Sequence, residues 1–272
     1  MRILVVTDGA PHSNNAVVAA GELLAQFGGG FMTLLTVIKS KQDTSQGALI
    51  LQQARDLLPA DAAVLNWCVR SGHTAEQIVK EAESGHYDLI VLGYQRAGRM
   101  LKRFLTPTAE RVVMQVPCPI LIVKGDLTQV NCLLVCESGR EPTLLERLKE
   151  GLPALLAETV DYMVLHVMSQ MVAAPSVPEW QLHASADELM ASQTPEGSLL
   201  EYDAKLLLNT KTRSAVKIRH GMVVDEILAE AENGRYDIIV IGRHQSQGWE
   251  RLLLDDVSKM IIGRVNQSIL VL

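Results

Sequence analysis

Residues 70–93 read RSGHTAEQIVKEAESGHYDLIVLG, and residues 219–242 read RHGMVVDEILAEAENGRYDIIVIG. At a constant offset of 149 (242 − 93), 12 of the 24 aligned positions are identical, too many for coincidence. Each copy has the apolar spacing of an amphipathic helix, then Tyr-Asp, then an apolar run closed by glycine. An internal repeat decides architecture before any single element does. The chain is therefore built twice, from units that alternate helix and buried strand.

Downstream of the first copy lies a basic loop containing Arg96, Arg99, Lys102 and Arg103. A helix follows over about 107–116, then Pro-Cys-Pro at 117–119 and an apolar strand over 120–123. A strand, a glycine-started loop and a helix N-terminus form a common phosphate-holding arrangement, because unpaired backbone N–H groups and the helix dipole face the loop. Upstream, strands are expected over 3–7, 31–38 and 63–69, with helices from Ser13 or Asn14 to Phe27 and over 43–58, and one capped by Thr74. Strands with near-continuous apolar runs, alternating with helices, imply a parallel sheet covered on both faces.

Residues 3–8 (ILVVTD) align with residues 132–137 (CLLVCE) at an offset of 129, which sets Glu137 against Asp8. The growth of the offset from 129 to 149 leaves about 20 extra residues inside the second half. The expected domains are 1–125 and 130–272, with a helical insertion at about 171–210 and a linker over 124–130. The second half should carry a helix over 143–156 and, around a turn at 194–197, inserted helices over 179–191 and 197–210. Leu189, Leu200 and Leu207 of the insertion are expected to pack as core or interface, as are Trp180, Leu182, Leu199 and Leu206.

Of the 272 residues, 48% are hydrophobic and 21% charged, a globular balance, and the net charge of −6 disfavours general nucleic-acid binding. No run approaches the roughly 18 apolar residues of a membrane span, so a cytoplasmic protein without a membrane partner is expected. The four cysteines lack CxxC spacing, so no disulfide framework is expected.

The segments ILVVTDGAPHS, VRSGHTAEQIVKEAESGHYDLIVLG and TAERVVMQVPCPILIV, with the second-half versions of the last two, resemble a tandem universal stress protein over nearly the whole chain. The resemblance implies two Rossmann-like or flavodoxin-like α/β domains, each a five-stranded parallel sheet with helices on both faces. It implies an internal pseudo-dimer in which strand 120–123 meets strand 269–272, and leaves room for a further homodimer. It also implies a non-catalytic stress-response module, with ATP or AMP as ligand and Mg²⁺ accompanying ATP. Carried over position by position, the nucleotide site would comprise Asp8, Gly9, Val37, Gly93, Arg96, Arg99, Thr106 and Thr108 of the first half.

Both halves depart from the family's G-x2-G-x9-G-[ST] pattern. Arg96 stands at the second glycine, Thr106 at the third, and Pro107 at the Ser/Thr. Proline removes one N–H donor, which the nearby arginines could offset by charge. In the second half Gln245 and Asp255-Asp256 occupy the corresponding places, and carboxylates at a helix N-terminus would repel phosphate. No family-type ATP site is expected there. Other readings are a non-nucleotide module that binds a partner or apolar ligand through the insertion, and a weak ATPase. His166, His220 and His244 end successive strands of the second half, but no spacing makes them a metal site, and none is assigned. Glu76, Lys80, Glu81 and Glu83 read as the wet face of a helix.

Overall fold

The structure, a computed structural model, describes residues 1–59, 65–94, 107–156, 159–168, 180, 183–192, 194–208, 213–243 and 250–272, without the side chains of 65, 208 and 250–256. The chain divides into two compact units. Unit 1 comprises Met1–Val130 with Asn266–Val271, and unit 2 comprises Asn131–Val265 with Leu272.

Unit 1 runs β1 (Arg2–Val6), α1 (Pro11–Gln26), β2 (Phe31–Ile38), α2 (Thr44–Asp56), β3 (Leu65–Ser71), α3 (Thr74–Gly85), β4 (Leu89–Gly93), α4 (Pro107–Gln115) and β5 (Ile120–Val123). These five strands are parallel and ordered β3-β2-β1-β4-β5, the doubly wound order of a Rossmann half. The central strands are buried on both faces: Ile3, Leu4, Val5, Ile90 and Val91 have no exposed surface. The sixth strand of this unit, β10 (Ser268–Val271), pairs antiparallel with β5, Ile269 opposite Ile122 and Val271 opposite Ile120. It covers what would otherwise be an open apolar edge.

Unit 2 contains β6 (Cys132–Glu137), α5 (Leu144–Gly151), β7 (Asp161–Met168), α6 (Ala186–Ala191), α7 (Pro195–Leu208), β8 (Ser214–His220), α8 (Val223–Asn233), β9 (Ile238–Ile241) and α9 (Glu250–Arg264). Its strands are parallel in the order β9-β6-β7-β8. Among the described residues no helix is long and apolar enough to cross a membrane, and Cys68, Cys118, Cys132 and Cys136 are free thiols.

Several helix starts differ from the sequence expectation for local reasons. Helix α1 begins at Pro11, with Ala10 and not Ser13 or Asn14 at the cap position, because proline's fixed φ suits the first helical position and its missing N–H costs nothing there. Thr74 is the first residue of α3 and not its cap, which is His73. The helix expected over 43–58 is a 3₁₀ turn at Lys41–Asp43 followed by α2. The helix expected over 143–156 ends at Gly151 and resumes as a 3₁₀ turn at Pro153–Leu156, since Pro153 cannot continue the ladder. The first inserted helix is shorter than expected, because Ser185 and Glu188 form a capping box that starts it at Ala186. The second starts earlier, at Pro195. Leu189, Leu200 and Leu207 are buried, whereas Trp180 is 48% exposed; Leu182 lies outside the described residues.

The identities of the repeated segment are structural. In unit 1, Glu81 accepts from Arg70 Nε (2.7 Å) and Tyr87 OH (2.8 Å). In unit 2, Glu230 accepts from Arg219 Nε (2.8 Å), Tyr236 OH (2.8 Å) and Lys217 Nζ (2.7 Å). The glycine that follows is needed for the tyrosine: a Cβ at Gly85 or Gly234 would stand about 2.0 Å or 1.9 Å from the ring of Tyr87 or Tyr236. Asp88 and Asp237 accept from the first N–H groups of β1 and β6 (Arg2, 2.7 Å; Cys132, 3.0 Å). Glu81 is thus not part of a wet face. Helical periodicity points it outward, but the adjacent strand brings Arg70 across to meet it.

Burial raises the Glu230 carboxyl pKa, and hydrogen bonds from Lys217, Tyr236 and Arg219 more than reverse this, so its net shift is downward. Its stabilisation is present above the ordinary glutamate range and is lost as acid protonates it. Glu230→Ala leaves Lys217 and the Tyr236 hydroxyl without this acceptor and Arg219 with Glu226 alone, and should cost about 2–3 kcal/mol in urea unfolding at pH 7. Glu76→Ala, which removes only an exposed pair with Arg111 (3.5 Å), should cost under about 1 kcal/mol. Equal losses would refute this account of the repeat.

Candidate functional site

In unit 1 the carboxyl ends of β1, β2 and β4 lie side by side, because the parallel register sets Val6 against both Leu35 and Leu92. Thr7 turns inward, 1% exposed, and Asp8 turns outward. Asp8 Oδ1 accepts from Ser13 Oγ (2.6 Å) and from Ala10 N–H (3.0 Å). Partial burial raises this carboxyl's pKa, but Ser13, Ala10 and the neighbouring His12 outweigh it, so Asp8 stays ionised at neutral pH. Gly9 follows with φ +80°, the left-handed region glycine favours. Val37, near the end of β2, and Thr108, in the first turn of α4, are half-buried.

Gly93 ends β4 where the start of α1 presses on it. A Cβ there would stand 2.1 Å from the carbonyl oxygen of His12. Close backbone packing therefore explains this glycine without reference to phosphate. Arg96, Arg99 and Thr106 lie outside the described residues, as do Lys102 and Arg103. Of the expected nucleotide residues, the structure brings Asp8, Gly9, Val37 and Gly93 to one edge of the sheet, with Thr108 opening the helix after β4.

Unit 2 corrects the alignment of Glu137 with Asp8. The sheet register sets Val5 against Val91 and Val135 against Val240. It sets Val6 against Leu35 and Cys136 against Leu165. Given Val91 and Val240 as equivalents, the offset is 130 (135 − 5), so Thr7 corresponds to Glu137 and Asp8 to Ser138. Gly9 and Gly139, both with positive φ, also agree with this offset. Because side chains alternate faces, the one-residue shift puts Glu137 inside and the exposed Ser138 where Asp8 stands.

Glu137 is 8% exposed, and its Oε1 accepts from Leu145 N–H (3.1 Å) at the start of α5. Burial, and then the charge of Asp203, raise its pKa to about 8, against the opposing pull of the Leu145, Leu144 and Ser138 N–H groups. Asp203, on the inserted helix α7, is 1% exposed and accepts from Thr143 Oγ1 (2.6 Å), the residue that caps α5. Burial lifts Asp203 to about 6, and its Oδ2 has no hydrogen-bond partner among the described residues. The insertion is thereby anchored to the start of α5.

Beside this cluster is a cavity of about 620 Å³ at the carboxyl ends of β6, β7 and β9. Its wall includes Leu165, Val167, Ile227, Ile241 and Ile261, with Arg140, Arg147 and Arg243 among its polar groups. A Cβ on Gly242 would meet nothing nearer than Leu144 Cδ2 at 3.5 Å, unlike Gly93. His166 lines the cavity, and burial lowers its pKa. His220 Nε2–H donates to Ala184 O (3.0 Å), while His244 lies outside the described residues. Among the described residues no three His, Cys, Asp or Glu side chains are placed to hold a metal ion. Gln245 and the side chains of Asp255 and Asp256 also lie outside the described residues.

The universal stress protein family profile matches residues 1–124 and again residues 134–272. The chain belongs to the universal stress protein family. A universal stress protein from Archaeoglobus fulgidus is 17% identical over 99% of this chain and 97% of its own, with a TM-score of 0.74. A putative universal stress protein from Pseudomonas aeruginosa is 18% identical over 100% of this chain and 92% of its own, with a TM-score of 0.65. At these identities the likeness concerns the fold. A universal stress protein solved in complex with cAMP is 24% identical over 45% of this chain and 95% of its own, with a TM-score of 0.40. No protein of curated function matches the chain significantly.

The cavity, Arg147 and the Thr143–Asp203 tie were not identified from sequence. The pair Asp8-Gly9 against Ser138-Gly139 was the available signal for the register, and needed only one residue of slack before Gly139.

Two outcomes follow for this member of the family. Gly93→Ala should destabilise by about 1–3 kcal/mol through the enforced shift of the His12 backbone, while Gly242→Ala should be close to neutral in the same unfolding assay. The folded Glu137 carboxyl titrates above its unfolded range, so its contribution to stability is complete below about pH 4.5 and is lost as pH rises through about 8. Glu137→Gln should flatten the decline in stability over that window. An unchanged slope from pH 5 to pH 8 would contradict the burial of an ionisable carboxyl here.

Proposed function

We propose that this universal stress protein is a non-catalytic, nucleotide-responsive module with its adenine-nucleotide site in unit 1. The observation that carries the reading is Asp8, an ionised carboxylate at the end of the central strand. It is exposed, and fixed by Ser13 and Ala10, so it is pre-oriented as an acceptor for an adenine amino group. Ser138, in the same position of unit 2, cannot supply that charge. Val37 edges the base, Gly9 leaves the backbone open beside it, and Gly93 with Thr108 borders the phosphates. Arg96, Arg99 and Thr106 replace the missing glycine-rich donors by charge and hydroxyl, and Mg²⁺ accompanies ATP. No residue is assigned a catalytic role. The nucleotide acts by changing the stability or surface of unit 1.

Thermal unfolding with millimolar Mg-ATP or AMP tests the reading. Ligand at 100 times its Kd adds about 2.7 kcal/mol to stability and should raise Tm by several degrees. The shift should disappear in Asp8→Asn, which keeps the side-chain shape, and persist in Ser138→Ala. Arg96→Gln with Arg99→Gln should weaken ATP more than AMP. Absence of any shift in the wild type would overturn the proposal.

A further inference from the structure

We propose that the unit 2 cavity binds a small carboxylate with an apolar body, its anionic head held by Arg147. The space is a consequence of how unit 2 begins. Helix α1 starts four residues after Thr7, at Pro11, and closes on Gly93; helix α5 starts seven residues after Glu137, at Leu144. The volume that the start of α1 occupies in unit 1 is accordingly part of a cavity of about 620 Å³ in unit 2, within the range of small-ligand sites.

The lining selects the chemistry. Arg147, on the first half of α5, is half-buried and lines the cavity, and its guanidinium makes no hydrogen bond or ion pair among the described residues. Its Nη1 lies 3.7 Å from where a Gly242 Cβ would be, so the guanidinium sits against the end of β9. A partly desolvated guanidinium without a partner favours an anion, and its planar fork matches a carboxylate in two parallel hydrogen bonds. Arg140 and Arg243 add positive charge around the same space. Two acids line it. Glu141 is exposed, and Glu137 is turned into the α5 N–H groups and held largely protonated at neutral pH by its burial. Among the described residues that line the cavity, the balance at neutral pH is therefore positive.

Beyond the arginine head the wall is Leu165, Val167, Ile227, Ile241 and Ile261, which offer no polar side-chain group. An alkyl or aryl body placed against that wall leaves no polar group of its own without a partner, while Ser138, His166 and Ser258 line other parts of the cavity. This site is independent of the nucleotide reading, since none of its residues belongs to unit 1.

Octanoate is the probe, with octanol as its uncharged counterpart. Titration calorimetry of the full chain should show octanoate binding at least tenfold more tightly than octanol, and Arg147→Gln should weaken octanoate at least tenfold while leaving octanol unchanged. In methyl-labelled protein, octanoate should shift the δ1 resonances of Ile227, Ile241 and Ile261. Ile227→Trp, which fills the cavity from its apolar side, should abolish binding with Arg147 intact. Asp8→Asn should leave octanoate binding unaffected, which separates this outcome from that of the nucleotide site. Equal affinity for octanoate and octanol would overturn the proposal. So would octanoate affinity preserved in Arg147→Gln, or resonance shifts confined to isoleucines outside the cavity.

Discussion

Much of this architecture depends on what fills the inward position at the end of each unit's central strand. A parallel strand buried on both faces must end somewhere, and its last inward side chain meets the start of the next helix. In unit 1 that side chain is Thr7, a short hydroxyl. Its oxygen accepts from Gly9 N–H (3.1 Å) and it shares a hydrogen bond with Ser13 Oγ (3.2 Å), drawing α1 close. In unit 2 it is Glu137, two bonds longer and acidic. It reaches the first N–H groups of α5 directly, and the helix begins further along the chain. A longer inward side chain and a later helix start thus go together with the cavity of unit 2, as a short one and an early start go with the closed junction of unit 1.

The acid brings a second requirement. A carboxyl buried at a helix N-terminus has favourable backbone partners but little water, and a second buried carboxyl, Asp203, stands nearby. Unit 2 accommodates the pair through the Thr143 hydroxyl, which donates to Asp203 while its oxygen accepts from Glu146 N–H (3.1 Å) and so caps α5. The inserted helix α7 is in this way part of the central strand's hydrogen-bonding solution. Tyr202, one residue away, donates to Glu146 (3.1 Å) and fastens the same contact from outside.

Much of the fold was legible because buried parallel strands leave long apolar runs and because the chain repeats itself. Segments 89–93 and 238–241 needed no context beyond their own composition. Identity of side chains across the repeat was a less direct guide to role. Arg70, Glu81 and Tyr87 recur as Arg219, Glu230 and Tyr236 because they bond to one another, a tertiary fact that helical periodicity cannot express. The start of the central strand is more instructive still. Aligning two acids, Asp8 and Glu137, satisfied chemical likeness, but sheet register depends on which face a residue occupies, and Gly9 with Gly139 marked the true correspondence. The cavity was invisible for a similar reason. It arises from an offset in where a helix starts, and no residue type encodes an offset.

The pairing of β10 with β5 also bears on how the chain is made. Ile122 and its partner Ile269 are 147 residues apart (269 − 122). At about 5–20 residues per second, translation takes on the order of ten seconds to half a minute to cover that interval. Throughout it, the four apolar residues of β5 present an unpaired edge on a unit whose other strands are already synthesised. The nascent chain carries that open sheet edge until residues 268–271 have emerged, which leaves it exposed for that interval to the edge-to-edge pairing that native sheets avoid.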